Sequence, residues 1–182
     1  MGKFALVFLF VLLGGCYPRF EHPLTPVTTS SYDQCLAGAW GLDSIGDEQE
    51  EGMFFHFGKA QGGEFELVTV SYSRSGSMEV KEITGHSSVT SAGSFLNLRE
   101  IMDGKELYIY FWYEPSNSQL IIRPLDVERI SDSLETGVLQ GDVEKDYVTS
   151  KPAEIISYFE QMGESLFMQD KMIFSRVTES RC

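Results

Sequence analysis

Between residues 36 and 125 the chain is a succession of short apolar or aromatic stretches, each cut off by glycine, proline or an acidic turn, and that rhythm admits few folds. Residues 36–45 place Leu36, Trp40 and Leu42 on one face of a strand, because strand side chains alternate with a period of two. An acidic turn between Gly46 and Gly52 leads into Met53, Phe54, Phe55, His56 and Phe57. Gly62 and Gly63 then turn the chain into 65–72, where the apolar parity shifts at Leu67 and Val68 and predicts a bulge. A turn hinged on Gly76 precedes two weaker strands, 80–89 and 95–101, set around Gly93. Asp103-Gly104 is a hairpin signal into 106–113, and 115–118 turns the chain once more into 120–125. Thirteen Phe, eight Tyr and two Trp favour strands. Strands at this spacing predict an antiparallel meander, barrel or sandwich, not βαβ units.

The last third differs. Residues 127–139 read as a short helix or loop running on to Gly141, and 146–149 as a further short strand. Residues 152–162 are the clearest helix: Ser150 can cap it, Pro152 suits the first turn, and Gly163 stops it. Ile155, Ile156, Phe159 and Met162 form one apolar stripe. Residues 171–178 make the closing strand, with Arg176 on it.

One strand has no evident wet face. In Leu107-Tyr108-Ile109-Tyr110-Phe111-Trp112-Tyr113 both parities are apolar or aromatic. The face carrying Tyr108, Tyr110 and Trp112 therefore meets the 155–162 helix, an apolar ligand or a protein partner.

Signals for chemistry are sparse. The formal net charge of −13 argues against nucleic acid, which needs clustered Lys and Arg. His22, His56 and His86 lack metal-ligand spacing, and the acidic turn at Asp47, Glu48, Glu50 and Glu51 lacks the order of a calcium loop. There is no G-x-S-x-G elbow, and Gly58-Lys59 lacks the spacing of a phosphate loop. No catalytic residue, metal ligand or cofactor is predicted, and the expectation is a protein that is not an enzyme.

The N-terminus carries an address. Lys3 precedes an unbroken apolar run of ten residues, 4–13, too short to span a bilayer as a helix of about 20 residues. The run ends in Leu13-Gly14-Gly15-Cys16, which resembles a bacterial lipobox. That resemblance implies a signal peptide over 1–15, cleavage between Gly15 and Cys16, and lipid on the Cys16 thiol. Tyr17 stands where inner-membrane lipoproteins often carry Asp, so the resemblance places the protein on the outer membrane, facing the periplasm. Residues 16–32 hold three of the six prolines and no periodicity, which predicts an extended tether ahead of one domain at 33–182. Two cysteines fall in that domain. If first and last strands pair, Cys35 and Cys182 come together as a disulfide; the alternative is that Cys182 sits on a frayed end.

The opening Leu36-Ala37-Gly38-Ala39-Trp40 resembles the G-x-W strand of lipocalin-like barrels. The resemblance implies a mainly β (α+β) fold: an antiparallel meander barrel with one helix packed before the last strand. It also implies a barrel floor built from Gly38, Trp40 and Arg176, the arginine lying on the indole. On this basis the expected function is an envelope lipoprotein whose barrel binds a small apolar or amphipathic molecule. The alternative is a structural or assembly lipoprotein acting through contact with another envelope protein.

Overall fold

The alternation between 36 and 125 becomes seven consecutive antiparallel strands, closed into a ring by an eighth near the C-terminus. The structure is a computed structural model, and it describes residues 17–30, 32–45, 48–49, 52–72 and 77–177. The meander runs through β2 (Gly38–Ile45), β4 (Met53–Lys59), β5 (Glu64–Tyr72), β6 (Met78–Thr90), β7 (Gly93–Met102), β8 (Lys105–Pro115) and β9 (Gln119–Pro124). The eighth strand, β12 (Met172–Arg176), pairs antiparallel with β9 on one side and β2 on the other. This is the closed antiparallel meander expected, consistent with a lipocalin-like barrel. Two-residue strands β1 (Arg19–Phe20), β3 (Glu48–Gln49), β10 (Gly141–Asp142) and β11 (Tyr147–Val148) extend the same sheet.

Two helices lie between β9 and β12: α1 (Val127–Glu135) and α2 (Pro152–Met162). Asp126 starts α1 by accepting from the Glu128 and Arg129 amides. At α2 the expected cap differs. Lys151 is the N-cap residue, and its amide donates to Glu154 at 3.0 Å. The Ser150 hydroxyl instead accepts from the Gln140 amide at 2.8 Å, tying the preceding loop to the helix. Gly163 ends α2 at φ 53°, a left-handed backbone that glycine adopts without strain.

Two further expectations change. The register of β5 against β4 and β6 is unbroken through Leu67 and Val68, so no bulge lies there. The shift falls instead between Ile173 and Phe174 on β12. The two strands that looked weak, β6 and β7, are among the longest of the barrel.

The apolar residues divide into two cores on either side of the β8 wall. Leu107, Ile109, Phe111 and Tyr113 face inward, Ile109 and Phe111 among the interior core with Leu67, Leu96 and Ile122. Tyr108, Tyr110 and Trp112 face outward. Against them pack Phe20, Phe159 of α2 and Phe167, with Phe20 stacked on Tyr110 at 4.1 Å between ring centroids.

The N-terminal segment departs most from expectation. Residues 17–30 are not a free tether but a strap laid over the barrel. Tyr17, Phe20 and Leu24 are buried, and β1 pairs antiparallel with β8 and parallel with β11. Prolines made the segment look like a linker. They fix an extended path, and three large apolar side chains along it supply the burial that holds it down.

Candidate functional site

Three arrangements follow from this architecture: a sealed floor, a cavity above it, and the strap that crosses the outside.

The floor is built by both ends of the barrel. Gly38 takes φ 104°, a conformation favouring glycine, where the chain turns from a short plug (residues 34–36) into β2. Trp40, fully buried, donates from its indole Nε1 to the Leu36 carbonyl at 2.8 Å. On the closing strand, the Arg176 guanidinium lies 3.9 Å from the centroid of the Trp40 ring. The same guanidinium donates to the carbonyls of Ala37 and Cys35, each at 2.7 Å, and to Asn117 at 2.9 Å. One side chain thus joins the plug, the first strand and the β8–β9 turn. Tyr113 adds a bond from its hydroxyl to Asp33 at 2.9 Å. Burial, with Asp33 beside it, pushes the Tyr113 phenol well above its ordinary value, so it stays a donor.

Above the floor the barrel is not filled. A cavity of about 420 Å³ remains, walled by Phe55, Leu67, Leu96, Ile109, Phe111 and Ile122. Its upper end carries Thr69, Lys81 and Glu100. Lys81 pairs with Glu79 at 2.8 Å, and Glu100 with Arg19 of the strap at 2.8 Å.

The strap is pinned by a buried polar group that the sequence reading passed over. Asn97, fully buried on the outer face of β7, accepts from the Leu24 amide at 2.9 Å and donates to the Ser88 hydroxyl at 2.8 Å. Ser88 in turn bonds the Thr25 hydroxyl at 2.7 Å. His86 Nε2 donates to the Thr25 carbonyl at 2.9 Å, and the Tyr110 hydroxyl donates to the His22 carbonyl. The available signal was a single Asn between Leu96 and Leu98 in an apolar strand.

Burial holds the His86 imidazole below the ordinary histidine value; the Thr25 carbonyl, Glu64 and Glu106 oppose the shift, and Arg99 adds to it. The folded state therefore binds fewer protons than the unfolded chain just below pH 6.5, and folding stability is lost as pH falls through that region. Urea unfolding from pH 7 downward is expected to show this decline. His86→Gln, which keeps an amide donor but does not titrate, is expected to flatten it. An identical slope in both proteins would assign the titration to another group.

Of the three alternatives for the outward face of Tyr108, Tyr110 and Trp112, the structure shows packing within the protein: Phe20, Phe159 of α2 and Phe167 lie against it, with Trp112 left partly exposed. Burying this face takes both Phe20 of the strap and the α2–β12 region, and these cover it fully at Tyr110. His56 points away from Phe55 and Phe57 and is exposed. Gly15, Cys16 and Cys182 lie outside the described residues, and with them the cleavage site, the lipidation site and one half of the expected disulfide. Cys35 lies in the plug.

Floor and wall together define a lipocalin-like meander barrel with a sealed end and an apolar cavity. Compared with known proteins, the chain matches no family model, no curated protein and no solved structure.

Proposed function

We propose that this chain is a non-enzymatic envelope lipoprotein, cleaved after Gly15 and lipidated at Cys16, whose barrel holds a small apolar or amphipathic molecule. The cavity carries the proposal. Its volume of about 420 Å³ lies within the range of about 300–1,000 Å³ usual for small-molecule sites, and its wall is apolar over a floor that is closed. The address rests on Lys3, the apolar run 4–13 and Leu13-Gly14-Gly15-Cys16. Among the described residues no helix is long and apolar enough to cross a membrane. Attachment in this reading comes from acyl chains at Cys16, and two or more make it lasting. Tyr17, in the position after the lipidated cysteine, favours the outer membrane and a periplasmic barrel. An assembly role through a protein partner draws less support, because the barrel is unfilled and the aromatic face of β8 is covered.

Native mass spectrometry of the protein extracted gently from membranes tests this. The expected result is a reproducible added mass that disappears on denaturation, and Leu98→Trp, which narrows the cavity, is expected to lower its occupancy about tenfold. No added mass, together with no uptake of lipids or apolar dyes, would rule the ligand-binding reading out. Metabolic labelling with a fatty acid, lost in Cys16→Ser, tests the anchor separately.

A further inference from the structure

The barrel wall is split on one side. Strands β6 and β7 pair only from Gly85 opposite Leu98 to Thr90 opposite Gly93, the half nearer the floor. Above that, β6 stays with β5 as far as Met78 opposite Tyr72, while β7 stays with β8 as far as Met102 opposite Lys105. Residues 78–84 of β6 and 99–102 of β7 therefore face each other as two unpaired edges.

The cavity reaches this split. From β4, β5 and β8 only inward-facing residues line it, every second position, as an intact wall requires: Phe55, then Leu67 and Thr69, then Ile109 and Phe111. From β6 and β7 the lining is continuous, residues 81–84 and 98–101, without alternation. Neighbouring residues on a strand point to opposite faces, so both can border one space only where that space comes round the strand's edge. The cavity therefore opens sideways between β6 and β7.

The chemistry of this slot selects an occupant. On each edge, alternate residues turn a backbone N–H and C=O toward the gap with no ladder partner. Exposed apolar side chains stand along these edges among charged ones: Met78 at 60%, Val80 at 50% and Ile101 at 66%. The cations beside the slot are each paired with a carboxylate, Lys81 with Glu79 and Arg99 with Glu64. Glu82 adds a negative charge to the lining, so an anionic group meets no open counter-charge here. The cavity is near the lower end of small-molecule sites, which suits one acyl chain better than two.

We infer that the slot between β6 and β7 is the doorway of the cavity and the seat of the ligand's head. The ligand is a single-chain amphiphile with a neutral, hydrogen-bonding head group. Its chain lies in the barrel and its head bonds to the two strand edges. This inference rests on the ligand-binding reading above and specifies its route and its ligand class.

Continuing the β6–β7 register beyond Gly85 and Leu98 brings residue 82 opposite 101. The test is Glu82→Cys combined with Ile101→Cys in the full chain, compared oxidised and reduced, with each single substitution as a control for the native cysteines. The probe is a monoacylglycerol with a fluorescent acyl chain, followed by stopped flow. The oxidised double variant is expected to bind and release it at least about tenfold more slowly than the same variant reduced. Ile101→Trp, which narrows the slot without a cross-link, is expected to slow both rates in the same direction. Unchanged rates in both variants, with normal binding by the unmodified protein, would overturn the doorway and leave ligand binding standing. Tighter binding of the free fatty acid of equal chain length than of the monoacylglycerol would overturn the head-group assignment. Failure of the unmodified protein to bind any amphiphile would remove the ligand-binding reading and this inference with it.

Discussion

Trp40→Ala is expected to destabilise the barrel by about 3–5 kcal/mol, the usual cost of truncating a fully buried tryptophan. For a domain of this size that corresponds to a fall in Tm of about 10 °C. The loss is not only of packing. Removal of the indole takes away the surface on which the Arg176 guanidinium lies, at 3.9 Å, and leaves the Leu36 carbonyl without its donor at 2.8 Å. Arg176→Ala leaves the carbonyls of Cys35, Ala37 and Asn117 without their shared donor, each a charge-assisted bond of about 1.5–3 kcal/mol. Because the two side chains serve one joint, the double variant is expected to lose less than the sum of the singles, by about 1–2 kcal/mol in urea unfolding. Additivity within about 0.5 kcal/mol would mean that plug and closing strand are held independently. Arg176→Lys separates charge from geometry: a point charge cannot reach three carbonyls in a planar fork, so little of the lost stability is expected to return.

Asn97→Leu is expected to release the strap while leaving the barrel folded. Leucine fills nearly the same space but offers no acceptor to the Leu24 amide and no donor to Ser88. A buried amide left unpaired costs about 1–3 kcal/mol, and every 1.4 kcal/mol is a tenfold change in the opening equilibrium. Exchange of the Leu24 amide is therefore expected to speed up about tenfold or more. Trypsin, to which the nearly buried Arg19 is now a poor target, is expected to cut after it at a correspondingly higher rate. Equal protection in the two proteins would show that Phe20 stacked on Tyr110, with Leu24 beside it, is enough to keep the strap seated.

The barrel was largely legible because its signals are local. Alternation of apolar residues gave the meander, Asp103-Gly104 marked a hairpin, and Pro152 and Gly163 bracketed α2 at its observed ends. The pairing of Trp40 with Arg176 was legible through the resemblance of a short motif, and the two side chains do meet. The strap was not, since extended proline-containing chain reads the same whether it is solvated or pressed against a wall. Only its partners, Asn97, Ser88 and Phe159, distinguish the two, and they lie far along the chain. The slot escaped for a related reason. Where β6 leaves β7, its inward positions carry Glu79 and Lys81 and its outward ones Met78 and Val80, a reversed pattern that weakened the strand signal without revealing a gap.

The strap also dictates the order in which this molecule can be completed. A polypeptide emerges from synthesis with its first residues leading, yet the seat of Arg19 and Phe20 is formed by β8 and by Tyr147 and Val148, which emerge much later. The same holds for Trp40, which waits for Arg176. Contacts so distant along the chain close slowly, since the entropy of the intervening loop is lost before any of them rewards it. Until then Tyr17, Phe20, Leu24 and the outer aromatics of β8 are uncovered together, so the newborn protein passes through a sticky stage that holding chaperones are suited to shield. The strap's partners all precede β12 in the chain, so the strand that shuts the ring is the last of these pieces to arrive.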